Sequence, residues 1–528
     1  MTVKYQSRSS KLTLAITSQP TTTEYIAGDT LSLTGLVVTA TRRDGSTENV
    51  TSQCTFSPAN GSTLSSSGTQ TITATYHGKS ITTSVSVYVL NRIAVTTAPT
   101  KTTYDYGDTM SYSGIVVTAY ANSDAITRDV TTSCSYNPAS GTKLTSTGSF
   151  SAAITWRNKS TTQSYSVTAK IYGVEWAGGS SSAWTRTDDA SGFSNPSPAV
   201  NNGRGSSPFD NIMPWSGMIR VEERTAYARN QVLVKIPKFY YKWTKTGSAI
   251  KLQIANAPVS GFSVSPAHAN RGDGKGERDY VYVGAYHTTQ IGNFWYSVSG
   301  TTPTVNITRA TARSGIHATN STQWQWDYAM YWTICMLYLV EYADWDCQRK
   351  IGKGSGESES SISVTGKTDS MTYHTGTNVS SKTSNGHVRY RYIEDLWSSV
   401  LDWIDGVAWY DRVIYTQNNP STYTDMGGTW TTLGSVPTGT WQIPTSLNVY
   451  NYALLPSSCT SVSSGNSFST YVCDSFDVAT SNNTTVGVPT VGACIYNVSD
   501  NYAGLFYCGY VDYNTSMAVV GTRLMKLP

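Results

Sequence analysis

The chain has 528 residues and a formal net charge of +4 at pH 7, from 38 Lys and Arg against 34 Asp and Glu. Charged residues make up 14% of the chain, against about 25% in an average soluble protein. This balance argues against nucleic-acid binding, which requires clustered Lys and Arg. Aromatic residues make up 12%, including 36 Tyr and 15 Trp, which excludes disorder because the rings need a core. At roughly 100–200 residues per domain, the length predicts several domains.

Residues 1–10 are predicted to form an N-terminal arm, and they lack the apolar core of a secretory signal. The longest strongly apolar stretch, Tyr328–Tyr342, contains Thr333 and Glu341 and is too short to span a bilayer. We therefore expect synthesis in the cytoplasm without membrane insertion, unless processing has removed a signal.

The cysteines predict neither a metal site nor any other cofactor. No CxxC motif occurs, no His lies at ligand spacing from a Cys, and the chain has only six His. We interpret the cysteines as free buried thiols, with a disulfide such as Cys494–Cys508 left open for a protein that works outside a cell. The eight positions are Cys54, Cys134, Cys335, Cys347, Cys459, Cys473, Cys494 and Cys508.

The first third of the chain is a tandem repeat. Tyr25–Ala40 recurs as Tyr104–Ala119, with Gly-Asp and Val-Val-Thr-Ala at matching places in both copies. Short β-prone runs separated by Gly-Asp and Asp-Gly turns predict a β-sandwich in each copy. The match continues through Cys54/Cys134, Pro58/Pro138, Gly61/Gly141, Gly68/Gly148 and Lys79/Lys159.

The opening pattern Tyr-x-x-Gly-Asp-x-Leu-x-x-x-Gly-Leu-x-Val, seen in Tyr25–Val38, resembles that of bacterial immunoglobulin-like domains. The resemblance implies one Ig-like domain over 11–90 and a second over 91–173. Such domains typically act as spacers or anchors in surface and phage-tail proteins. The repeats contain no acid/base pair or nucleophile pattern, so we expect a structural role for them.

The composition changes at Gly173, after which 14 of the 15 Trp occur. We expect a β-rich region over 174–310, because Gln231–Trp243 and Asp279–Tyr286 alternate as strands do. The segment Gly173–Trp176 and the run from Ser265 to Tyr286 look like parts of phage tail or structural proteins.

Two helices are predicted in the last domain, over 311–528. Gln323–Arg349 is apolar on most faces and should be buried. Ile393–Ile404 carries apolar residues at helical spacing, with Asp395, Ser398, Ser399 and Asp402 on the opposite, solvated face and Gly406 as a stop. Short β-prone runs follow, so we expect an α+β domain.

Leu396–Gly406 resembles the Gly-Asn-Val-Trp-Glu-Trp segment of C-type lectin folds of the formylglycine-generating-enzyme type. Ala503–Tyr507 and Val520–Leu524 are similar to the last strands of that fold. They are closer still to the variable proteins of diversity-generating retroelements, which include phage tropism determinants. The resemblance implies a mainly β protein with two tandem Ig-like β-sandwiches and a C-terminal α+β C-type lectin-like domain that contacts ligands.

No catalytic constellation is expected, and we predict that the chain is not an enzyme. Asp395, Asp402 and Asp405 would suit glycoside hydrolysis if they faced a groove, but a solvated helix face explains them. His268 and His287 have no nucleophile pattern. The adhesion tripeptide Arg271-Gly-Asp273 is expected to be a chance match, and the Gly-rich loop 273–279 lacks EF-hand spacing.

The predicted ligand-binding segment lies near the C-terminus, where Tyr is interspersed with Asn, Ser and Asp. Rigid Tyr rings give contact area at low entropic cost, and small polar side chains adapt their hydrogen bonds. The alternative is that these are ordinary tyrosines of a β-rich domain. The predicted residues are Tyr496, Asn497, Ser499, Asp500, Asn501, Tyr502, Tyr507, Tyr510, Asp512, Tyr513, Asn514 and Ser516.

Together these features predict a phage virion protein at a tail tip or fibre, where it binds a host bacterial surface receptor, either a glycan or a protein. Its other partners would be virion proteins and further copies of the chain, with a trimer left open. Two alternatives stay open: a structural decoration or connector protein, and a polysaccharide-degrading enzyme.

Overall fold

The computed structural model describes residues 12–225, 229–356, 359, 361–425, 430–461, 470–478, 486–494 and 503–528. The chain divides into two compact units, Met1–Thr168 and Ala169–Pro528. The structure is mainly β. Among the described residues the eight cysteines form no disulfide; five of them are buried, as the sequence predicts, whereas Cys54, Cys134 and Cys459 are only half-buried.

The first unit begins with a β-sandwich. One sheet has the order β1-β4-β5 and the other β2-β9-β8-β6, with β3 and β7 paired beside them. Val38, Ile72 and Val85 are buried between the sheets. The strands are β1 (Thr13–Ser18), β2 (Glu24–Ile26), β3 (Asp29–Thr30), β4 (Val37–Thr41), β5 (Thr47–Asn49), β6 (Thr55–Ser57), β7 (Thr63–Leu64), β8 (Gly68–Tyr76) and β9 (Lys79–Tyr88).

A second sandwich follows after a single connecting residue, Val89. Its sheets, β10-β12-β13 and β11-β16-β15-β14, repeat the pairing of the first. Tyr76 pairs with Lys79 across the β8–β9 turn, and Trp156 pairs with Lys159 across the β15–β16 turn. The strands are β10 (Leu90–Thr97), β11 (Thr103–Asp105), β12 (Val116–Ala121), β13 (Ile126–Asp129), β14 (Ser135–Asn137), β15 (Gly148–Trp156) and β16 (Lys159–Thr168).

The recurring Gly-Asp pair forms a tight turn in each sandwich. Gly28 and Gly107 have φ values of 95° and 92°, a left-handed conformation that favours glycine. In the first turn the carboxylate of Asp29 accepts the amide of Ile26 at 2.7 Å. In the second, Asp108 accepts the amide of Asp105 at 3.1 Å.

The second unit contains two five-stranded sheets, of order β18-β17-β23-β22-β24 and β20-β21-β25-β42-β28, the second of which includes the last strand of the chain, β42 (Leu524–Lys526). Its first elements are β17 (Ile171–Trp176), β18 (Thr185–Asp188), β19 (Ala199–Val200), β20 (Ile219–Glu223), β21 (Gln231–Pro237), β22 (Tyr240–Thr246), β23 (Ala249–Ala255), β24 (Ser263–Val264), β25 (Tyr280–Gly284), β26 (Thr288–Ile291), β27 (Phe294–Ser297), α1 (Arg309–Thr319), β28 (Gln323–Gln325), α2 (Tyr328–Tyr342), α3 (Cys347–Lys350), β29 (Gly376–Thr377), β30 (Val388–Tyr390) and β31 (Ile393–Glu394).

The remaining strands build a ten-stranded sheet. Its main path runs β35-β34-β33-β39-β40-β38-β36-β37, and β32 pairs with both β39 and β41. The strands are β32 (Leu401–Trp403), β33 (Val407–Tyr410), β34 (Val413–Thr416), β35 (Thr431–Ser435), β36 (Gly439–Tyr450), β37 (Ala453–Ser461), β38 (Phe476–Val478), β39 (Gly487–Gly492), β40 (Cys508–Asp512), β41 (Val520–Thr522) and β42 (Leu524–Lys526).

The predicted buried helix is confirmed as α2, in which every residue is buried. It is shorter than predicted because both ends have a defined stop. Asp327 caps the first turn by accepting the amide of Met330 at 2.9 Å. Ala343 ends the helix in a left-handed conformation with a φ of 51°.

The predicted helix over 393–404 is wrong, because this segment forms the short strands β31 and β32 with turns and bends between them. Leu401–Trp403 pairs with β39 on one side and β41 on the other. Asp395 and Ser399 have positive φ values of 54° and 66°. The supposed solvated face is also wrong, since Asp395, Ser398, Ser399 and Asp402 are all buried.

Candidate functional site

Half of the predicted ligand-binding residues lie within the described structure. Tyr507 precedes β40, Tyr510 and Asp512 lie on it, and Tyr513, Asn514 and Ser516 follow it. The other six lie outside the described residues: Tyr496, Asn497, Ser499, Asp500, Asn501 and Tyr502.

Tyr507 is buried, and it packs in a cluster with Trp403, Val488 and Val520. Its ring is therefore part of the core that supports β40. The described structure does not place this ring on a surface that a ligand could reach.

Tyr510 is half-buried and belongs to an aromatic stack. Its ring centroid lies 5.9 Å from that of Trp409, with 19° between the ring planes, and Trp409 stacks in turn on Phe476 at 5.4 Å. Tyr510 covers the backbone of Gly487, where a Cβ atom would lie 1.7 Å from the ring. Glycine at 487 therefore allows this ring to lie flat against β39.

Beyond Tyr510, exposed and half-buried side chains alternate. Asp512, Asn514 and Ser516 are exposed, whereas Tyr513 is half-buried. The backbone here is held in place, since the amide of Tyr513 donates to the carbonyl of Val486 at 3.2 Å. The polar side chains are thus presented by a backbone that remains hydrogen-bonded beyond the last residue of β40.

A hairpin turn from another part of the chain lies at the same end of the sheet. Trp409 of β33 pairs with Gly487 of β39, which pairs with Asp512 of β40. The β33–β34 turn follows directly, and its central residues, Asp411 and Arg412, have φ values of 46° and 65°. Such values are those of a type I′ hairpin turn.

The turn residue Tyr410 is 44% exposed, and Asp411 and Arg412 are exposed beside it. The sequence prediction missed these residues, because Asp-Arg is not a common type I′ pair and the β33–β39 contact is not local. We call the combined region the strand-end surface, defined by Tyr410, Asp411, Arg412, Asp512, Tyr513, Asn514 and Ser516.

The strand-end surface has the chemistry of a binding surface. Tyr410 and Tyr513 offer partly exposed rings, which can pack against apolar ligand groups or the C–H faces of a sugar. Asp512, Asn514 and Ser516 offer hydrogen-bonding groups around them. Both charge signs are present, so the surface is not a strongly acidic or basic patch.

The three carboxylates that suggested glycoside hydrolysis do not face a groove. Asp395, Asp402 and Asp405 are 5%, 2% and 1% exposed. Arg313 binds Asp405 through two nitrogens, at 2.6 and 2.8 Å. A polysaccharide-degrading activity would therefore have to use carboxylates other than these three.

Asp395 forms one side of a buried charged group centred on His387. Nδ1 of His387 lies 2.7 Å from Asp395, and Nε2 lies 3.0 Å from Glu359. Burial alone would lower the pKa of His387, but the two carboxylates outweigh it and raise that pKa to about 10. The imidazole is therefore a cation that joins two segments of the unit.

Asp402 lies beside two other buried groups. One of its oxygens is 3.6 Å from Nε of Arg523 and 3.5 Å from Nε2 of His287. Burial raises the pKa of Asp402 to about 7 although Arg523 opposes this shift. These distances exceed those of good hydrogen bonds, and all three side chains are buried.

The Arg271-Gly-Asp273 tripeptide is not available for adhesion. Arg271 is buried, where it donates to Asp327 at 2.5 Å and to the hydroxyl of Tyr423 at 2.7 Å. The carboxylate of Asp273 is bound by Arg278. In the part of the chain that the structure describes, no group of three or more His, Cys, Asp or Glu side chains is placed to hold a metal ion.

An apolar cavity of about 30 Å³ lies in the second unit between α2, β36 and β37. This volume has room for about two water molecules, so we assign the cavity to core packing rather than to a ligand site. Its lining residues include Tyr328, Trp332, Leu447, Leu454 and Phe506. The helices of the described residues are all too short or too polar to span a bilayer.

Comparison with known proteins identifies part of the first unit. Residues 18–87 match the family model of the bacterial Ig-like domain, group 3. No curated protein matches the chain. Among solved structures, domains 4–9 of surface layer protein SbsC align over 98% of this chain and 81% of that chain, with 13% identity and a TM-score of 0.16, which does not assign a fold. The protein is thus mainly β and contains a bacterial Ig-like domain.

Proposed function

We propose that this protein is a non-enzymatic binding protein whose strand-end surface contacts a bacterial surface glycan or protein. The observation that carries this proposal is the pairing of β33, β39 and β40, which brings exposed Tyr410, Asp512 and Asn514 to the same end of one sheet. Sites built on paired strands hold their side chains more precisely than sites on free loops.

In this proposal the chain consists of two tandem Ig-like domains, which act as spacers, and an α+β C-type lectin-like domain, which binds. The identical pairing of the two sandwiches supports the tandem arrangement. The protein would act on a phage virion, at a tail tip or fibre, with a host receptor and other virion proteins as partners. Several copies on one particle, in a homo-oligomer such as a trimer, would bind strongly through individually weak sites.

Adsorption to host bacteria tests this surface. The full chain would be labelled and its binding to cells measured by flow cytometry. A triple variant, Asp512→Ala, Asn514→Ala and Ser516→Ala, should lose most binding while its unfolding stays unchanged, because all three side chains are exposed. The control is Asp279→Ala, whose side chain is 83% exposed elsewhere in the same unit. Binding equal to the wild type in the triple variant would contradict the assignment of the surface.

The connector alternative is favoured by one observation, the burial of Tyr507 and the internal stack of Tyr510 on Trp409. In a connector the strand-end surface would contact another virion subunit. A photo-crosslinking amino acid in place of Tyr410 separates the two functions in assembled particles. A crosslink to host envelope material supports receptor binding, whereas a crosslink to a virion subunit supports the connector.

A further inference from the structure

The first sandwich inserts a carboxylate into a site made by the second. Asp29, in the Gly-Asp turn of the first sandwich, accepts hydrogen bonds from Nη1 of Arg128 and Nη2 of Arg157, both at 2.7 Å. Both arginines belong to the second sandwich, Arg128 on β13 and Arg157 in the β15–β16 turn. Each carboxylate oxygen has its own guanidinium partner.

The turn around Asp29 fits closely between these arginines. Nη1 of Arg157 also donates to the carbonyl of Ala27 at 2.5 Å. A Cβ atom on Gly28 would lie 3.2 Å from the guanidinium carbon of Arg157, so a side chain there would crowd the contact. Ile26, from the same turn, is fully buried and packs in the core cluster of the second sandwich.

The carboxylate of Asp29 is more buried than its counterpart in the second sandwich. The Asp29 side chain is 9% exposed, whereas Asp108 at the matching place in the second sandwich is 37% exposed. Asp108 pairs with Lys101 of its own sandwich at 2.8 Å. The same turn carboxylate is thus used within a sandwich in one copy and between sandwiches in the other.

The arginines distinguish the two copies of the repeat. Strand pairing places Arg128 at the position of Glu48, and Arg157 at the position of His77. The second copy therefore differs from the first at the two positions that bind Asp29. The Ig-like fold itself does not require a cation at either position, since the first sandwich has Glu48 and His77 there.

We propose that Arg128 and Arg157 form a carboxylate-binding site that docks the Gly-Asp turn of the first sandwich and locks the two sandwiches into one rigid body. The single connecting residue, Val89, keeps the turn close to the site, so that no diffusible partner is needed. The site binds the Gly-Asp turn of the first sandwich, and it thereby fixes both the angle and the rotation of the first sandwich relative to the second.

Distances between spin labels in the full chain test the lock. A genetically encoded ketone amino acid at Ser66 and at Ser146, two exposed and matching positions, takes the labels without reaction at the native cysteines. Double electron–electron resonance should give one narrow distance distribution in the wild type. The double variant Arg128→Ala with Arg157→Asn should give a broad distance distribution, because Asp29 loses both guanidinium partners. Asn is chosen at 157 because it tolerates the left-handed φ of 53° there.

Two controls define the result. Arg92→Ala removes an exposed ion pair with Asp124 that lies within the second sandwich, and Asp108→Asn alters the matching carboxylate. Both should keep the narrow distribution. A broad distribution in the wild type, or a narrow one in the double variant, would overturn the proposal. Hydrogen exchange checks whether the double variant has lost β15 and β16. If it has, the distance distribution of Asp29→Asn decides between the outcomes, because Asn removes the charge of the carboxylate but can still accept the amide of Ile26.

Discussion

Glu341 and Arg391 form a bidentate ion pair in the interior of the second unit. Nη2 of Arg391 lies 2.7 Å from Oε1 of Glu341, and Nε lies 2.8 Å from Oε2. The hydroxyl of Tyr390 donates to the same carboxylate at 3.0 Å. Glu341 and Arg391 are almost completely buried. The pair explains why a glutamate occurs in the otherwise apolar helix α2.

Replacing Glu341 with Gln should destabilise the second unit by about 3–5 kcal/mol, because Arg391 would remain a buried cation with only the more distant Asp210, at 3.4 Å, as its counter-charge. Urea unfolding followed by Trp fluorescence measures this loss. The control is Asp279→Asn, which breaks an exposed pair with Lys238 and should cost at most about 1 kcal/mol. Similar losses in both variants would show that the buried pair has no special role.

Replacing Gly487 with Ala should cost about 1–3 kcal/mol, because the new methyl group collides with the ring of Tyr510. The three nearest atoms to that methyl group all belong to Tyr510. In a Tyr510→Ala background the same change should therefore be neutral, or stabilising by up to about 1 kcal/mol. A cost that is equal in both backgrounds would mean that Gly487 serves another purpose.

The pH dependence of stability should report on His387. Its pKa rises from the ordinary 6.5 to about 10 on folding. The contribution of His387 to the free energy of unfolding is therefore fully present below about pH 6.5 and is lost as the pH rises through about 10. The difference in free energy of unfolding between the wild type and His387→Gln should shrink over this range. Urea titrations at several pH values measure it, and a constant difference would contradict the charged state of the imidazole.

Acid should release the two sandwiches only at low pH. Burial alone would raise the pKa of Asp29, but hydrogen bonds from the Ile26 amide, Arg157 and Arg128 outweigh it and lower that pKa below 3.8. The contribution of the Asp29 carboxylate to stability is present above about pH 3.8, and it is lost as the pH falls through the lower pKa that Asp29 has in the folded state. The spin-label distance should stay narrow from pH 7 down to about pH 4. Broadening near pH 5 would show that Asp29 does not hold the sandwiches.

The repeats could be predicted from the sequence because the signals for their strands and turns are local and occur twice. Strands and turns alternate within each copy, and the Gly-Asp turn recurs with its glycine and its carboxylate. Helix α2 was also predictable, since Tyr328–Tyr342 is apolar on nearly all faces and Asp327 is a good cap. Local signals of this kind do not depend on distant partners.

The segment 393–404 shows where local signals fail. Its polar residues looked solvated, yet Asp395 is bound by His387, and Arg523 lies beside Asp402. Pairing of β32 with β39 and β41 outweighs the helical pattern, and these strands lie far along the chain. Tyr410 was missed for the same reason, because only the fold brings the β33–β34 turn to the end of β40.

The parallel pairing of β2 with β9, and of β11 with β16, has a consequence for tension along the chain. Force that pulls Glu24 and Tyr88 apart loads the hydrogen bonds between β2 and β9 in shear, so they must break together rather than one by one. The part of each sandwich from β2 to β9, or from β11 to β16, is therefore built to resist stretching. A domain with this pairing would keep its length under tension.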